Sequence, residues 1–311
     1  MSENTTEQFD VMTLLPKKKI ELLDYGHATL VDCMPRFAPV GHTADAAIVQ
    51  AARVSYGDGT KKSSEDRGLI RYLMRHGHTT PFEMVEFKFH CKMPVFVARQ
   101  WIRHRTANVN EISGRYSIMK DEFYKPDAAG IRAQSKTNKQ GGDTPIDVET
   151  AKDYLSYLDE ICIKAYQTYE KYINEGVSRE QARMILPLNL YTEWYWKIDL
   201  HNLFHFLSLR CDAHAQYEIR VFADAMLELI SPLVPYSVEA WNDYHFRRQG
   251  LLLTRLEADA LKAMLASSPA QVATDGYVKA KQIDSDNSRE KEEWKAKLVR
   301  MGFQQPIKFD E

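Results

Sequence analysis

One short segment concentrates most of the residue types that could bind an anion or move a proton. Residues 100–117 contain three arginines, a histidine, a carboxylate and a serine–glycine pair. Guanidinium groups bind phosphates and planar carbonyl groups through paired hydrogen bonds, although arginine-rich segments also commonly form solvated surface. The sequence therefore predicts either an anion-binding loop or an exposed basic surface. Its candidate residues are Gln100, Arg103, His104, Arg105, Glu111, Ser113, Gly114 and Arg115.

Two further arginines lie in contexts that favour a binding role. Arg183 follows a capping sequence at residues 178–181, which predicts a short helix ending before Pro187. Arg210 interrupts a segment whose other residues form a broad apolar helix face. Because a buried and unpaired charge is unfavourable, Arg210 should have a partner or a ligand.

Histidines occur in two places where a metal site is conceivable. The loop from His76 to Glu83 surrounds a helix-ending glycine, but no third ligand follows at a familiar spacing. His201 and His205 are one helical turn apart, with Asp199 nearby, although the chain contains no His-Glu-x-x-His sequence. A histidine-metal enzyme is therefore an alternative interpretation, and we assign no metal ligand.

The cysteines indicate a reducing environment. Cys33, Cys91, Cys162 and Cys211 are far apart and form no Cys-x-x-Cys pair, which argues against a zinc knot or a secreted disulfide framework. Cys211 follows Arg210, and a nearby cation lowers a thiol pKa. Consecutive helix residues do not share a face, however, so a nucleophilic Cys211 is the less favoured interpretation.

Composition narrows the class of protein. The chain has 311 residues, 44% of them hydrophobic and 27% charged, with a net charge of -2. This balance gives no general reason to bind nucleic acid. The N-terminus is polar and acidic, and no apolar run approaches the length of a membrane span. We expect a cytoplasmic protein without a membrane partner.

Periodicity and capping signals place these residues on elements. Residues 1–17 are predicted to form a flexible tail, 18–240 the main domain, 127–147 a mobile surface insertion, and 241–311 a helical and charged extension. We expect an α+β fold in which a mixed or antiparallel sheet packs with long helices. Strands are predicted at 20–26, 27–33 and 85–91, and helices at 43–53, 63–77, 94–102, 148–174, 178–186 and 199–229.

Several motifs together resemble one enzyme family. Arg103-His104-Arg105 is followed, after seven residues, by Ser113-Gly114-Arg115-Tyr116. This arrangement resembles the signature of the flavin-dependent thymidylate synthases. The sequences at 76–83, 182–191 and 209–216 resemble further motifs of that family, in the family's order. The resemblance spans residues 20–240.

The resemblance implies a function and a set of site residues. Members of the family methylate dUMP to dTMP with FAD, NADPH and methylenetetrahydrofolate, as homotetramers whose sites are built from several subunits. The implied FAD-site residues are Thr80, Glu83, Arg103, His104, Arg105, Glu111, Asp199, His201 and His205. The implied dUMP-site residues are Gln100, Arg103, Glu111, Ser113, Gly114, Arg115, Arg183 and Arg210. In the family, the arginine that corresponds to Arg210 grips the uracil ring and favours its nucleophilic form, which makes Arg210 the expected catalytic residue.

Two observations qualify this expectation. Some family members carry Asn and Arg where this chain has Asp199 and His201, and Asn where it has His205. The chain also lacks a Gly-x-Gly-x-x-Gly sequence after a strand, so a dinucleotide would need a non-Rossmann site. Besides the metal enzyme, the other alternative is a phosphate-binding or RNA-binding module that uses the Arg103–Arg115 region.

Overall fold

The computed structural model describes residues 7–55, 66–136 and 141–245. The chain divides into two compact units, Met1–Arg248 and Gln249–Glu311, and all described residues belong to the first. The strands are β1 (Gln8–Asp10), β2 (Lys19–Leu22), β3 (Gly26–Met34), β4 (Phe37–Pro39), β5 (Glu86–Pro94), β6 (Asn108–Glu111), β7 (Arg132–Gln134), β8 (Gly142–Pro145) and β9 (Tyr191–Asp199). The helices are α1 (Asp45–Val54), α2 (Asp66–Arg75), α3 (Val95–Trp101), α4 (Val148–Asn174), α5 (Arg179–Ala182), α6 (Leu200–Arg210), α7 (Tyr217–Ile230) and α8 (Pro235–Tyr244).

A five-stranded antiparallel sheet forms the centre of the fold. Its order is β2-β3-β5-β9-β6, so β6 lies at one edge. One face of β5 and β9 carries apolar side chains that are fully or almost fully buried, whereas the other carries half-buried polar ones. This alternation is the pattern of a sheet with one face on the core. The predicted α+β class and the antiparallel sheet are confirmed.

Trp101 fixes α3 against the core. Its fully buried ring stacks on Phe206 of α6, with ring centroids 5.0 Å apart. It also meets Trp194 and Trp196 of β9 edge-on, at 5.4 Å and 5.3 Å. Aromatic groups of this size dominate the energetics of a core. The end of α3, from which the candidate segment leaves, is therefore rigidly held.

A smaller core lies under α4, whose predicted bounds are confirmed. Cys162 and Tyr169 on this helix are buried against Met119 and Phe123 of the long loop that follows β6. The Tyr169 hydroxyl accepts a hydrogen bond from the Met119 backbone N–H at 3.0 Å. Cys162 is thus core material, and Cys91 of β5 is also fully buried, as the alternation predicted.

Two predicted flexible segments have regular structure. Val11 and Met12 are buried, β1 pairs with β4, and Asp10 caps a 3-10 helix at Val11–Leu14, so the predicted tail is wrong for residues 7–17. Residues 1–6 lie outside the described part. In the 127–147 insertion, β7 and β8 pair as a mostly exposed ladder. This ladder is mostly exposed, as expected for a surface insertion, and the mobility of the insertion stays a prediction.

Two predicted boundaries also change. The single helix predicted at 199–229 is two helices, because the side chain of Asp212 accepts the His214 backbone N–H at 2.8 Å and turns the chain between α6 and α7. Helix α8 crosses the predicted boundary at residue 240, and Trp241 stacks on Phe204 at 5.0 Å. The main domain therefore continues beyond 240. The rest of the predicted extension, from 246 onward, lies outside the described residues.

Other local predictions are confirmed. Gly77 has a φ of 69°, which is the left-handed conformation expected after α2. The Asp199 side chain caps α6 by accepting the Asn202 backbone N–H at 2.9 Å. No helix in the described ranges is long and apolar enough to cross a membrane.

Candidate active site

Arg210, at the end of α6, contacts the first histidine of the candidate segment. Its Nε donates a hydrogen bond to Nε2 of His104 at 3.2 Å. The His104 ring lies edge-on to buried Phe206 at 4.9 Å, and its centroid is 5.8 Å from that of His205. We call His104, His205 and Arg210 the histidine–arginine cluster. It brings together residues 106 positions apart in the chain.

Partial burial sets the electrostatics of this cluster. Burial lowers the pKa of the Arg210 guanidinium, which nevertheless stays charged at any working pH because its ordinary pKa is so high. Burial, the charge of Arg210 and the proximity of His205 lower the pKa of His104 to about 4. At neutral pH the cluster therefore holds one half-buried cation beside a neutral imidazole. No carboxylate pairs with Arg210 within the described ranges.

Gln100 provides a second link between α3 and the segment after α6. Its side-chain amide donates a hydrogen bond to the side-chain oxygen of Gln216. Gln216 was part of the 209–216 motif but was not among the predicted site residues. The sequence offers one signal for Gln216, its position six residues after Arg210. Its partner Gln100 on α3 is 116 positions away, so sequence spacing does not reveal the contact.

A second group of candidates lies beyond the edge strand β6. The Ser113 hydroxyl accepts the Arg115 backbone N–H at 3.3 Å, and Nε of Arg115 pairs with Glu180 of α5 at 3.0 Å. A Cβ atom on buried Gly114 would approach Cδ of Arg183 to 3.2 Å. We call Ser113, Gly114, Arg115, Glu180 and Arg183 the arginine face. Met119 Sδ would lie at 3.1 Å from the same Cβ, so a side chain at position 114 would require both neighbours to shift by a few tenths of an ångström.

The arginine face is open to solvent. More than half of the Arg115 and Glu180 side chains is accessible, so their ion pair contributes little. The exposed Arg183 side chain has no ion pair within the described residues. An anion could therefore reach both guanidiniums. Neighbouring Arg179 is already engaged, because it donates to the Tyr116 carbonyl at 2.8 Å.

Glu111, at the end of β6, lies between the two groups in the chain, after His104 and before Ser113. Its carboxylate accepts a hydrogen bond from the Thr192 hydroxyl at 2.6 Å, which orients it against β9. All four residues of β6 are exposed. Within the described residues, no hydrogen bond or ion pair joins the histidine–arginine cluster to the arginine face.

The other predicted flavin-site residues are spread over three elements. Arg103 and Arg105 follow α3, are exposed, and have no ion pair among the described residues. Thr80 and Glu83 are exposed on a 3-10 helix, Thr80–Met84, that packs against α6. His201 is half-buried near the start of α6. Asp199 differs from these, because both of its carboxylate oxygens bind Asn202.

These candidates form no metal cluster within the described residues, and they lie outside the one cleft described below. The described residues contain no group of three or more His, Cys, Asp or Glu side chains placed to hold a metal ion. A cleft of about 620 Å³ lies between α3, α4 and the β7–β8 ladder, and Phe96, Tyr124 and Glu218 contribute to its lining. None of the predicted site residues lines that cleft.

Comparisons with known proteins agree on one relationship. The chain matches the family described as "Thymidylate synthase complementing protein" over residues 37–236. It is 57% identical over 256 residues to a flavin-dependent thymidylate synthase of Dictyostelium discoideum. This match covers 82% of the present chain and 84% of the Dictyostelium protein. A flavin-dependent thymidylate synthase of Rickettsia conorii is 50% identical over 278 residues, covering 84% of this chain and 91% of that protein.

A solved structure shares the fold. It is a UMP/dUMP methylase, PolB, from Streptomyces cacaoi, bound with 5-Br UMP. The TM-score is 0.62 at 33% identity, and the match covers 74% of this chain and 98% of that one. The same protein bound with 5-Br dUMP matches equally well.

Proposed function

The chain belongs to the family of flavin-dependent thymidylate synthases, and from that premise we propose that it converts dUMP to dTMP with methylenetetrahydrofolate and NADPH as co-substrates. In the overall reaction the one-carbon unit of the folate forms a bond to the uracil C5 carbon, which loses its hydrogen as a proton. A hydride equivalent from NADPH reduces that unit to the methyl group. The products are dTMP, tetrahydrofolate and NADP⁺. The observation that carries this proposal is the half-buried Arg210, which pairs with no carboxylate among the described residues and contacts His104, the residue between exposed Arg103 and Arg105 in the chain.

FAD is the proposed flavin, and when bound it supplies the hydride-transfer chemistry. The side chains fit such a group because Arg103 and Arg105 are exposed guanidiniums without ion pairs among the described residues, as a pyrophosphate requires. Thr80, Glu83, His104, Glu111, His201 and His205 complete the proposed flavin residues. Asp199 fits least well, since α6 uses its carboxylate as a cap.

The arginine face is the proposed site of the dUMP phosphate. Arg115 and Arg183 supply charge, and the hydroxyl of Ser113 supplies a donor next to buried Gly114. A phosphate would replace Glu180 as the partner of Arg115, because the exposed ion pair is weak. Gln100, Arg103 and Glu111 are the proposed contacts to the sugar and base.

Arg210 is the proposed catalytic residue. Attack of the uracil C5 carbon on a one-carbon unit requires electron density that deprotonating or polarising the ring amide can provide. A cation held in place before reaction stabilises the negative charge that develops on the ring. Its effect exceeds that of a cation in water, because the surroundings of Arg210 are partly desolvated.

We further propose that the active form is a homotetramer with sites shared between subunits. The support is that no hydrogen bond or ion pair joins the histidine–arginine cluster to the arginine face within the described residues, and that all four residues of the sheet-edge strand β6 are exposed. A nucleotide held by both groups would need a second chain to cover it. The proposed setting is a reducing cytoplasm, which agrees with four free cysteines.

The experiment is a reconstitution with omissions. Purified protein is incubated with dUMP, methylenetetrahydrofolate and NADPH, and dTMP is measured by chromatography while the flavin spectrum is recorded. We expect dTMP only in the complete mixture, from a protein that carries a flavin. A flavin-loaded protein that forms no dTMP in the complete mixture would overturn the proposal, as would dTMP formation without flavin. If sedimentation shows that the active protein is a monomer, the proposed homotetramer is contradicted.

A further inference from the structure

The half-buried cation of the histidine–arginine cluster is held by a neutral group. The hydrogen bond from Arg210 Nε to His104 Nε2 is its only side-chain hydrogen bond among the described residues. Arginine has donors but no acceptor, so Nε2 of His104 must present its lone pair and the imidazole proton must be on Nδ1. This contact uses only the Nε donor. Both terminal nitrogens of the guanidinium remain available to a ligand.

We infer that His104 is a positioning residue, which orients the Arg210 guanidinium toward the uracil ring of dUMP by accepting its Nε hydrogen bond. This inference rests on the proposed function and assigns to the His104 ring a role distinct from flavin contact. A carboxylate in the same place would orient Arg210 equally well but would offset its charge. A neutral imidazole leaves the full charge for the substrate.

The orientation of His104 is set by the core. Its ring lies edge-on to Phe206, with an interplanar angle of 78°. Phe206 is fully buried and stacks on Trp101, which is fully buried as well. Phe206 thus packs between the core and the His104 ring, and His104 in turn binds Arg210. A side chain held this way loses little entropy when the substrate binds.

The neighbours of His104 also favour the accepting form. The titratable and charged groups that act on its ring are Arg210 and His205, both on α6. Neither favours a protonated imidazole beside it, and burial opposes protonation further. If His104 became protonated, its Nε2 would become a donor and the hydrogen bond to Arg210 would be lost.

The test compares three substitutions of His104 that differ in where they place an acceptor. In His104→Gln the side-chain oxygen can reach the position of Nε2, in His104→Asn the amide is too short, and in His104→Leu there is no acceptor. The control is His42→Gln, which changes an exposed histidine that pairs only with Asp66 in the described residues. The direct readout is the pKa of the dUMP ring bound to oxidised enzyme, measured by ultraviolet difference titration.

We expect His104→Leu and His104→Asn to raise the bound ring pKa and to lower the single-turnover rate by about tenfold. This is less than the roughly hundredfold loss for removing a preorganised donor, because Arg210 itself remains. The dUMP dissociation constant should change much less. His104→Gln should stay within about threefold of wild type, because it restores the acceptor.

Three outcomes would overturn the inference. The first is equal behaviour of His104→Gln and His104→Asn. The second is an unchanged ring pKa in His104→Leu, and the third is loss of flavin from all three variants, which would assign the ring to the flavin alone. Failure of the wild type to form dTMP would instead contradict the proposed function. If His104→Leu does not fold, the comparison of His104→Gln with His104→Asn still tests whether the acceptor at position 104 matters.

Discussion

The histidine–arginine cluster and the arginine face both present guanidinium groups, but they differ in how they are held before a ligand arrives. Arg210 is half-buried and oriented by a neutral ring that packs on the core. Arg115 and Arg183 are exposed, and Arg115 has only a weak ion pair with Glu180. A preorganised cation can act on a developing charge, whereas an exposed one mainly adds binding that is similar in ground and transition states.

The largest effect should come from removing the cation of the histidine–arginine cluster. We expect Arg210→Ala to fold, to retain a yellow flavin spectrum, and to lose at least about a hundredfold in kcat for dTMP formation, the scale of a missing preorganised donor. The measurement is steady-state kinetics with the flavin content of each preparation determined by absorbance. The control is Arg220→Ala, which changes a half-buried arginine of α7 that donates to the Ala213 carbonyl, and it should stay near wild type. A flavin-loaded Arg210→Ala enzyme with ordinary kcat would place the activating charge elsewhere.

Substitutions in the arginine face should act on binding. We predict that Arg115→Ala and Arg183→Ala each raise the KM for dUMP by about tenfold, the equivalent of one charge-assisted hydrogen bond, with smaller changes in kcat. Glu180→Gln removes the competing partner of Arg115 and should leave the KM unchanged or lower it. Initial rates over a range of dUMP concentrations test this. A fall in kcat that exceeds the rise in KM would show that the arginine face takes part in chemistry.

Salt should separate the two regions without any mutation. Raising the ionic strength from about 0.05 M to about 0.5 M should raise the KM for dUMP several-fold, because exposed charges are screened while partly buried ones are screened much less. The single-turnover rate at saturating dUMP should change little. Both quantities can be measured on the wild-type enzyme in potassium chloride. If the KM for dUMP and the single-turnover rate respond equally to salt, the distinction between half-buried and exposed arginines is contradicted.

The smallest effect is expected at Ser113. A serine attacks only when a base takes its proton, and the contact of its hydroxyl is with the Arg115 backbone N–H rather than with a histidine. Ser113→Ala should therefore raise the KM for dUMP by about two- to threefold and leave most of kcat, the low end for one neutral hydrogen bond. Product assays at saturating dUMP test this. Complete loss of dTMP formation with unchanged nucleotide binding would support a nucleophilic Ser113 instead.

The sequence predicted local features of the fold better than distant ones. The bounds of α4, the Asp199 cap and the left-handed Gly77 follow from periodicity and from the chemistry of helix ends, which involve only neighbouring residues. Strand β9 was missed even though Trp194, Trp196 and Ile198 alternate with polar residues.

The remaining errors depend on tertiary contacts. Residues 9–15 include Phe9, Val11, Met12, Leu14 and Leu15, but this apolar run is too short to show what buries Val11 and Met12. The elements that cover them come later in the chain. For the site, residue types and spacing indicated Arg210 and Arg183, but not which partners they have. The Arg210–His104 and Gln100–Gln216 contacts join elements more than a hundred positions apart, so only the fold could reveal them.

The most direct test of this account is a single-turnover experiment on Arg210→Ala and Arg183→Ala enzymes in parallel. Each is loaded with flavin, reduced, saturated with dUMP and mixed with methylenetetrahydrofolate, and flavin oxidation is followed by absorbance. We predict that Arg210→Ala is slowed by at least about a hundredfold, while Arg183→Ala reacts within about threefold of wild type once dUMP is saturating. Equal slowing of the two variants, or a wild-type rate in Arg210→Ala, would contradict the division between a preorganised catalytic cation and an exposed phosphate-binding face.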